Sequence, residues 1–364
     1  MRATKLEVNL DNIQYNIDEV KKYIGSDVQF MPIVKAYGYG SFINYDGNFL
    51  NQFNILGVAL LDEAIEIRKS GYKGDILILY PLLENELIEA LENNFIVNSS
   101  NFLNIDIEKL SSKYKIRTHV EIETGMGRTG LLDCDINRYI EIIKNNNILV
   151  EGIFTHLSSS RTDYDFSIEQ LNKFDNIISI FKNNNIIFKY KHAICSGGLN
   201  DFKDYLYNMV RIGLLLYGYY PNKTIREILN LKPAIKLKTK IIFLKQLNEG
   251  ESVGYNRNFI CKEKTKVATI PFGFGDGLIG LETGNAYVIV NSKRAKIIGI
   301  CMDNMMLDVT GIDVNINDDV YIWDNELLTV EEVASWIPDL CSYEILSSIS
   351  NRVEREFVKR KTLL

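Results

Sequence analysis

From residue 30 to about 218 the chain alternates short, β-branched apolar runs with longer stretches whose apolar residues recur every three or four positions. The short runs predict strands over 31–35, 55–60, 75–80, 95–98, 118–123, 152–156, 190–195 and 210–215. The stretches between them predict helices. That over 61–69 (LDEAIEIRK) shows the spacing well, and Gly71 supplies its C-terminal stop. Strands that alternate with helices to a count of eight predict a TIM (β/α)8 barrel. A doubly wound open sheet is the alternative.

The texture changes after Pro233. Strand-like segments over 235–244, 266–270, 286–290, 295–300 and 319–323 are separated by Gly, Asn and Asp turns, and helical patterns return only over 330–337 and 341–350. The expected organisation is a barrel over 1–233 followed by a C-terminal β-rich domain over 234–364. Asn-rich patches at 145–147 and 183–185 read as loops, and the only repeat is the βα period.

Composition narrows the class. At 364 residues the chain exceeds one ordinary core, and 46% hydrophobic with 24% charged residues describes a globular protein. A net charge of −6 without a long basic run argues against nucleic acid or an anionic membrane as partner. No basic n-region with an apolar h-region opens the chain, and no apolar run reaches the ~18 residues of a membrane span, so the cytoplasm is the expected location. Five widely spaced cysteines without a CxxC pair indicate neither a disulfide framework nor a metal site. Only three histidines occur, His119, His156 and His192.

In a TIM barrel chemistry gathers at the C-terminal ends of the strands. Those ends carry Lys35 and Tyr39, then Thr124-Gly125-Met126-Gly127-Arg128, Thr155-His156, His192 with Ser196-Gly197-Gly198, and Arg211-Ile212-Gly213-Leu214. Each has a bland reading, a lysine reaching water, a rim ion pair or a turn, but together they describe a site. A lysine at the mouth of a buried strand has a lowered pKa and can attack an aldehyde. Hydroxyl and backbone N–H groups around Ser196 and Gly213 suit a phosphate. Pyridoxal phosphate is the cofactor that combines the two.

At this point the sequence resembles the alanine racemase family. The similarity runs nearly end to end, through Leu6-Glu7-Val8-Asn9-Leu10-Asp11, Val34-Lys35-Ala36 with Tyr39-Gly40, Glu123-Thr124-Gly125-Met126-Gly127-Arg128 and Thr155-His156. It continues through His192-Ala193, Val210-Arg211-Ile212-Gly213 with Tyr217-Gly218, Val253-Gly254-Tyr255, 270–277 (IPFGFGDG), Cys301-Met302-Asp303 and Arg352-Val353. The resemblance implies a homodimer that interconverts the enantiomers of a small amino acid, with an active site shared between protomers. It implies that Lys35 holds the cofactor and that Lys35 and Tyr255 exchange protons on opposite faces of the substrate, with Tyr255 donated by the second protomer. Arg211 would face the pyridine nitrogen and keep it unprotonated, because a second positive charge at short range is unfavourable. Tyr39, Ser196, Gly213 and Leu214 would hold the phosphate, and His156 would lie beside the ring. Arg128 and the Met302 backbone N–H would meet the substrate carboxylate, and His192 would orient the Tyr255/Arg211 network. A tyrosine near its ordinary pKa of ~10 is a poor base at neutral pH, so Tyr255 needs cationic or donor neighbours, which His156 and Arg211 would supply.

Several positions depart from the family pattern. Glu121 stands where a carbamylated lysine is common, and it supplies a negative charge for Arg128 directly. The loop Tyr37-Gly38-Tyr39-Gly40-Ser41 keeps the phosphate tyrosine and changes its neighbours, and Phe274 replaces a frequent tyrosine. Asn351 stands where a tyrosine near the substrate side chain is common. With the Arg352-Val353-Glu354-Arg355 ending it opens serine as an alternative to alanine. A non-catalytic cofactor-binding homologue is the rival from another class, and the β-rich domain bearing Tyr255 argues against it. A decarboxylase would place a carboxylate where Arg211 stands.

Overall fold

The computed structural model describes residues 2–278, 281, 286–337 and 340–359. It divides into two compact units. One comprises Tyr15–Gly38 and Phe42–Leu231, and the other gathers Met1–Gln14, Tyr39–Ser41 and Lys232–Leu364. The first strand, β1 (Lys5–Asn9), therefore folds with the β-rich unit.

The first unit is a barrel of eight parallel strands: β2 (Gln29–Pro32), β3 (Ile55–Val58), β4 (Asp75–Ile78), β5 (Ile96–Asn98), β6 (Ile116–Glu121), β7 (Ile148–Phe154), β8 (Tyr190–His192) and β9 (Met209–Ile212). Strands β3 to β8 pair in chain order and β2 pairs with β9. Bridges between Ile33 and Gly57 and between Cys195 and Arg211 close the ring. Closure removes the doubly wound alternative. Every residue of β3 (Ile-Leu-Gly-Val) is buried, as a parallel strand covered on both faces requires. The crossover helices bury one stripe each. In Tyr164–Asn183 the stripe is Leu171, Phe174, Ile177 and Phe181, and the Asp163 carboxylate caps the helix by accepting from Phe166 N–H. Arg117 of β6 holds Asp75 of β4 at 2.7 Å and also binds Glu151 of β7, an ionic layer that ties three strands together.

The second unit is a nine-stranded sheet. After β10 (Ile235–Lys240) and β11 (Phe243–Leu247) come β12 (Ser252–Val253), β13 (Phe259–Ile260), β14 (Thr265–Ile270), β15 (Tyr287–Val290), β16 (Lys293–Ile300), β17 (Met305–Asp308), β18 (Asp319–Trp323) and β19 (Glu354–Val358). The sheet order is β11-β14-β17-β16-β15-β18-β10-β1-β19, with β12 and β13 as a separate hairpin. The single run expected over 235–244 is two strands that lie apart in the sheet. Ile241 turns the chain between them, so that β10 joins β1 and β18 while β11 joins β14. Strands β1, β17 and β19 and the hairpin lie outside the expected set. Strand β19 (EREFV) is charged and half-exposed, which hides it from an alternation test. Helices Val330–Ser335 and Ser342–Ser348 occupy the two helical patterns with shorter bounds. No helix of the described residues is long and apolar enough to cross a membrane.

Candidate active site

Strand β2 stops at Pro32, and Ile33 and Val34 continue it only by donating to Ile212 O (2.7 Å) and Gly57 O (2.9 Å). Lys35 then opens a left-handed turn. Ala36, Tyr37, Gly38, Tyr39 and Gly40 have φ of 51°, 53°, 63°, 55° and 76°. A non-glycine residue held there costs about 1–2 kcal/mol, and such strain clusters where a side chain must be aimed. Buried Glu63 holds the turn in place. One carboxylate oxygen accepts from Ala36 N–H, and the other accepts from Ala59 N–H (2.9 Å) and Leu60 N–H (3.1 Å). Burial, and next the Arg128 charge, push the Lys35 amine below its ordinary value, while Cys195 and Glu63 oppose this. The result is an amine more readily deprotonated than a surface lysine.

Arg211 of β9 is the centre of the barrel site. Nη1 donates to His192 Nδ1 and His192 O, both at 2.9 Å. Nη2 donates to Thr155 O and Ala193 O at 2.8 Å, and to His156 Nδ1 at 3.2 Å. All five acceptors are neutral, and burial lowers the guanidinium pKa. Phe154 stacks on the His192 ring (5.0 Å between centroids, 7°) and lies under the guanidinium at 5.6 Å. His156 is held neutral by burial and by Arg211, with its pKa down to about 3. His192 lies well below its ordinary value for the same two reasons.

The Thr124–Arg128 loop follows β6. The Glu123 carboxylate accepts from Gly125, Gly127 (2.8 Å) and Arg128 (3.3 Å) N–H groups and folds the loop around itself. Arg128 lies over the Tyr80 ring and 3.5 Å from Glu121. The buried Glu121 carboxylate also accepts from Asn98 Nδ2 (2.8 Å) and Thr129 Oγ1 (2.7 Å), so the charge expected to serve Arg128 is in place. After β8, Ser196 Oγ accepts from Gly213 N–H at 3.1 Å, and the Leu214–Tyr217 turn begins there. Lys35, Glu121, Arg128, His156, His192, Ser196, Arg211, Gly213 and Leu214 thus meet at the C-terminal ends of the barrel strands.

Tyr39, Tyr255, Met302 and Asn351 belong to the β-rich unit. Tyr255 tops the β12–β13 hairpin and is 65% exposed, after Gly254 at φ 79° and before Asn256 and Arg257, both at 55°. The hairpin stands on an apolar patch of Val253, Val267 and Ile298, with Phe259 and Met306 against it. Met302 sits in an exposed loop whose Cys301 and Met302 carbonyls accept from Phe274 (3.1 Å) and Gly275 (2.9 Å) N–H groups. The exposed Asn351 lies in a turn fixed to the same segment, because Ser350 N–H donates to Asp276 O at 2.9 Å. The Gly273–Asp276 turn therefore brings Met302 and Asn351 together.

Glu63 and His119 escaped the sequence reading as site residues. A glutamate at the third position of a helix that follows a strand was the available signal for Glu63; for His119 there was only its rarity.

Pyridoxal phosphate fits this donor set. The Nε–H of Arg211 has no acceptor among the described residues, so one donor of a fixed, buried cation remains for a ring nitrogen. A lowered amine and a hydroxyl beside a backbone N–H complete the chemistry. Among the described residues no three His, Cys, Asp or Glu side chains gather as a metal site.

Comparison with known proteins agrees. Residues 8–221 match the family model described as alanine racemase, N-terminal domain, and residues 234–357 match alanine racemase, C-terminal domain. Alanine racemase 2 of Caldanaerobacter subterraneus subsp. tengcongensis is 35% identical, over 99% of this chain and 96% of that protein. Alanine racemase 1 of Clostridium acetobutylicum is likewise 35% identical over 99% and 96%. The solved structure of alanine racemase from Clostridium difficile 630 superposes with a TM-score of 0.94 at 28% identity, covering 100% of this chain and 97% of that one. The Bacillus anthracis alanine racemase with bound L-Ala-P gives 0.92 at 29%, covering 99% and 96%. With both domain models matched in order and full-length relatives at this identity, the chain belongs to the alanine racemase family.

Proposed function

We propose that this protein racemises alanine with pyridoxal phosphate, as a cytoplasmic homodimer in which Lys35 of one copy and Tyr255 of the other transfer the proton. The segment 1–233, which contains the barrel, would hold the cofactor, and the segment 234–364, which contains most of the β-rich unit, would bring Tyr255. The observation that carries the reading is Arg211, a buried cation with neutral acceptors and one N–H left over. When bound, the cofactor supplies an electron-withdrawing ring that acidifies the substrate Cα–H. Arg211 repels a second positive charge at the ring nitrogen, which moderates that withdrawal and disfavours side reactions. Lys35, lowered by burial, takes the proton at the substrate Cα on one face. Tyr255 returns one on the other, with Arg211 as its cationic neighbour and the neutral His156 ring as its donor neighbour. Tyr39, Ser196, Gly213 and Leu214 would hold the phosphate. Arg128, with Glu121 behind it, and the Met302 N–H would orient the substrate carboxylate. The exposure of Tyr255 supports its donation to a second copy.

The test is loss of optical activity of L-alanine and of L-serine with the cofactor-loaded protein, beside Tyr255→Phe and Lys35→Ala. Alanine turnover that falls about 10²–10⁴-fold in Tyr255→Phe, with the cofactor still bound, supports the reading. Serine turnover above alanine turnover would shift the substrate to serine and make Asn351 its determinant. Cofactor binding without turnover of either would leave a binding protein.

A further inference from the structure

His119 lies inside β6, fully buried, one ring behind His192. Its Nδ1 is 2.9 Å from His192 Nε2, and His192 Nδ1 is 2.9 Å from Arg211 Nη1. We propose that His119 is a positioning residue for Arg211, acting through His192 as the far end of a hydrogen-bond chain that runs in one direction only. The proposal rests on the reading of Arg211 as the group that faces the cofactor ring.

The direction follows from elementary donor chemistry. A guanidinium has no acceptor, so His192 Nδ1 must be bare to receive Nη1–H. A neutral imidazole with bare Nδ1 carries its proton on Nε2, and that proton points at His119 Nδ1. His119 Nδ1 must then also be bare, which places the His119 proton on Nε2. Both rings are neutral, since burial and the nearby arginines, Arg211 for His192 and Arg117 for His119, hold their pKa values down, to about 3 for His119. His119 Nε2 is buried with no hydrogen-bond partner among the described residues, so nothing at the far end competes for the orientation. If His192 carried its proton on Nδ1 instead, two N–H groups would face each other at 2.9 Å and Arg211 Nη1 would lose its imidazole acceptor.

The fold makes room for this chain. His119 pairs with Gly152 across the β6–β7 ladder, where the register shifts between Thr118 and His119. A Cβ at Gly152 would stand 2.5 Å from His119 Nδ1 and 2.6 Å from Cε1, so a larger residue would expel the ring. Tyr190 covers the ring from the side at 5.7 Å, and Phe154 fixes the plane of His192. His119 therefore has one position, and in it the ring can only accept from His192.

The experiment combines a spectrum and a set of variants. With 15N-labelled histidine in the cofactor-loaded protein, three imidazoles are present to assign. His192 and His119 are expected to show protonated Nε2 and bare Nδ1. His119→Phe and Gly152→Ala are expected to lower kcat for alanine about tenfold, the scale of one hydrogen bond felt on the barrier, with KM held within about twofold. His119→Asn, whose Oδ1 can stand in for Nδ1 as acceptor, is expected to retain most of the rate. A proton on His192 Nδ1 in the unaltered protein overturns the proposal whatever the activity. So does a His119→Phe enzyme that keeps full kcat, since apolar filling alone would then suffice. Absence of racemisation in the unaltered protein with the Nε2–H pattern present defeats the functional reading and leaves the chain of histidines standing.

Discussion

Lowering the pH from 7.5 to 5.5 is expected to remove about 4 kcal/mol of folding stability through the three histidines alone. His119 and His156 fall from an ordinary value of 6.5 to about 3, mainly through burial, and His192 lies well below it. A depressed folded-state pKa on a base means that the unfolded chain binds more protons between the two values. Stability therefore rises with pH across that interval, is complete above the unfolded value of 6.5, and is lost as pH falls beneath it. Between pH 7.5 and 5.5 each unfolded imidazole gains most of a proton while its folded counterpart gains none, which is about 1.4 kcal/mol per group. The carboxylates held low by partners, Asp75, Asp318 and Glu356, act only at lower pH, near and beneath their ordinary values, and stay out of this window. A loss of about 4 kcal/mol is a large share of the 5–15 kcal/mol typical of a domain. Urea unfolding of the cofactor-free protein at the two pH values measures it without a contribution from ligand binding. A loss under about 1 kcal/mol, or histidine ring signals that titrate near 6.5 in the folded protein, would refute the reasoning.

Other perturbations test other parts of the argument. Gly40→Ala places a Cβ 2.2 Å from Leu346 O at a φ of +76°, and a cost of about 2–4 kcal/mol should appear as a lower thermal midpoint. Glu121→Gln removes the negative charge 3.5 Å from Arg128, and KM for alanine should rise about tenfold with a smaller change in kcat. Asn351→Tyr should raise the alanine-to-serine ratio of kcat/KM about tenfold by closing the space for a hydroxymethyl group; an unchanged ratio removes Asn351 from specificity.

The barrel was legible because parallel strands buried on both faces, such as Ile-Leu-Gly-Val of β3, read as unbroken apolar runs between helical stripes. The parallel pairing of β1 with β19 was not, since it joins Lys5–Asn9 to Glu354–Val358 and half-exposed strands carry little apolar signal. At Lys35 the glycines at 38 and 40 announced a turn, but nothing in the letters of Ala36 and Tyr37 marks a left-handed backbone. His119 could become visible only with the β6–β7 register, which sets it opposite Gly152. Arg211 shows the limit most clearly. In the run Val210-Arg211-Ile212 a buried arginine asks for a carboxylate, and the sequence holds 47 acidic residues that could answer. The fold answers with Thr155, His192 and Ala193 carbonyls and two bare imidazole nitrogens. A carboxylate would have cancelled the charge, whereas neutral acceptors fix the guanidinium and leave the charge to act. Strand order, which sets the loops after β7, β8 and β9 side by side, determines that difference, and no stretch of the sequence read by itself contains it.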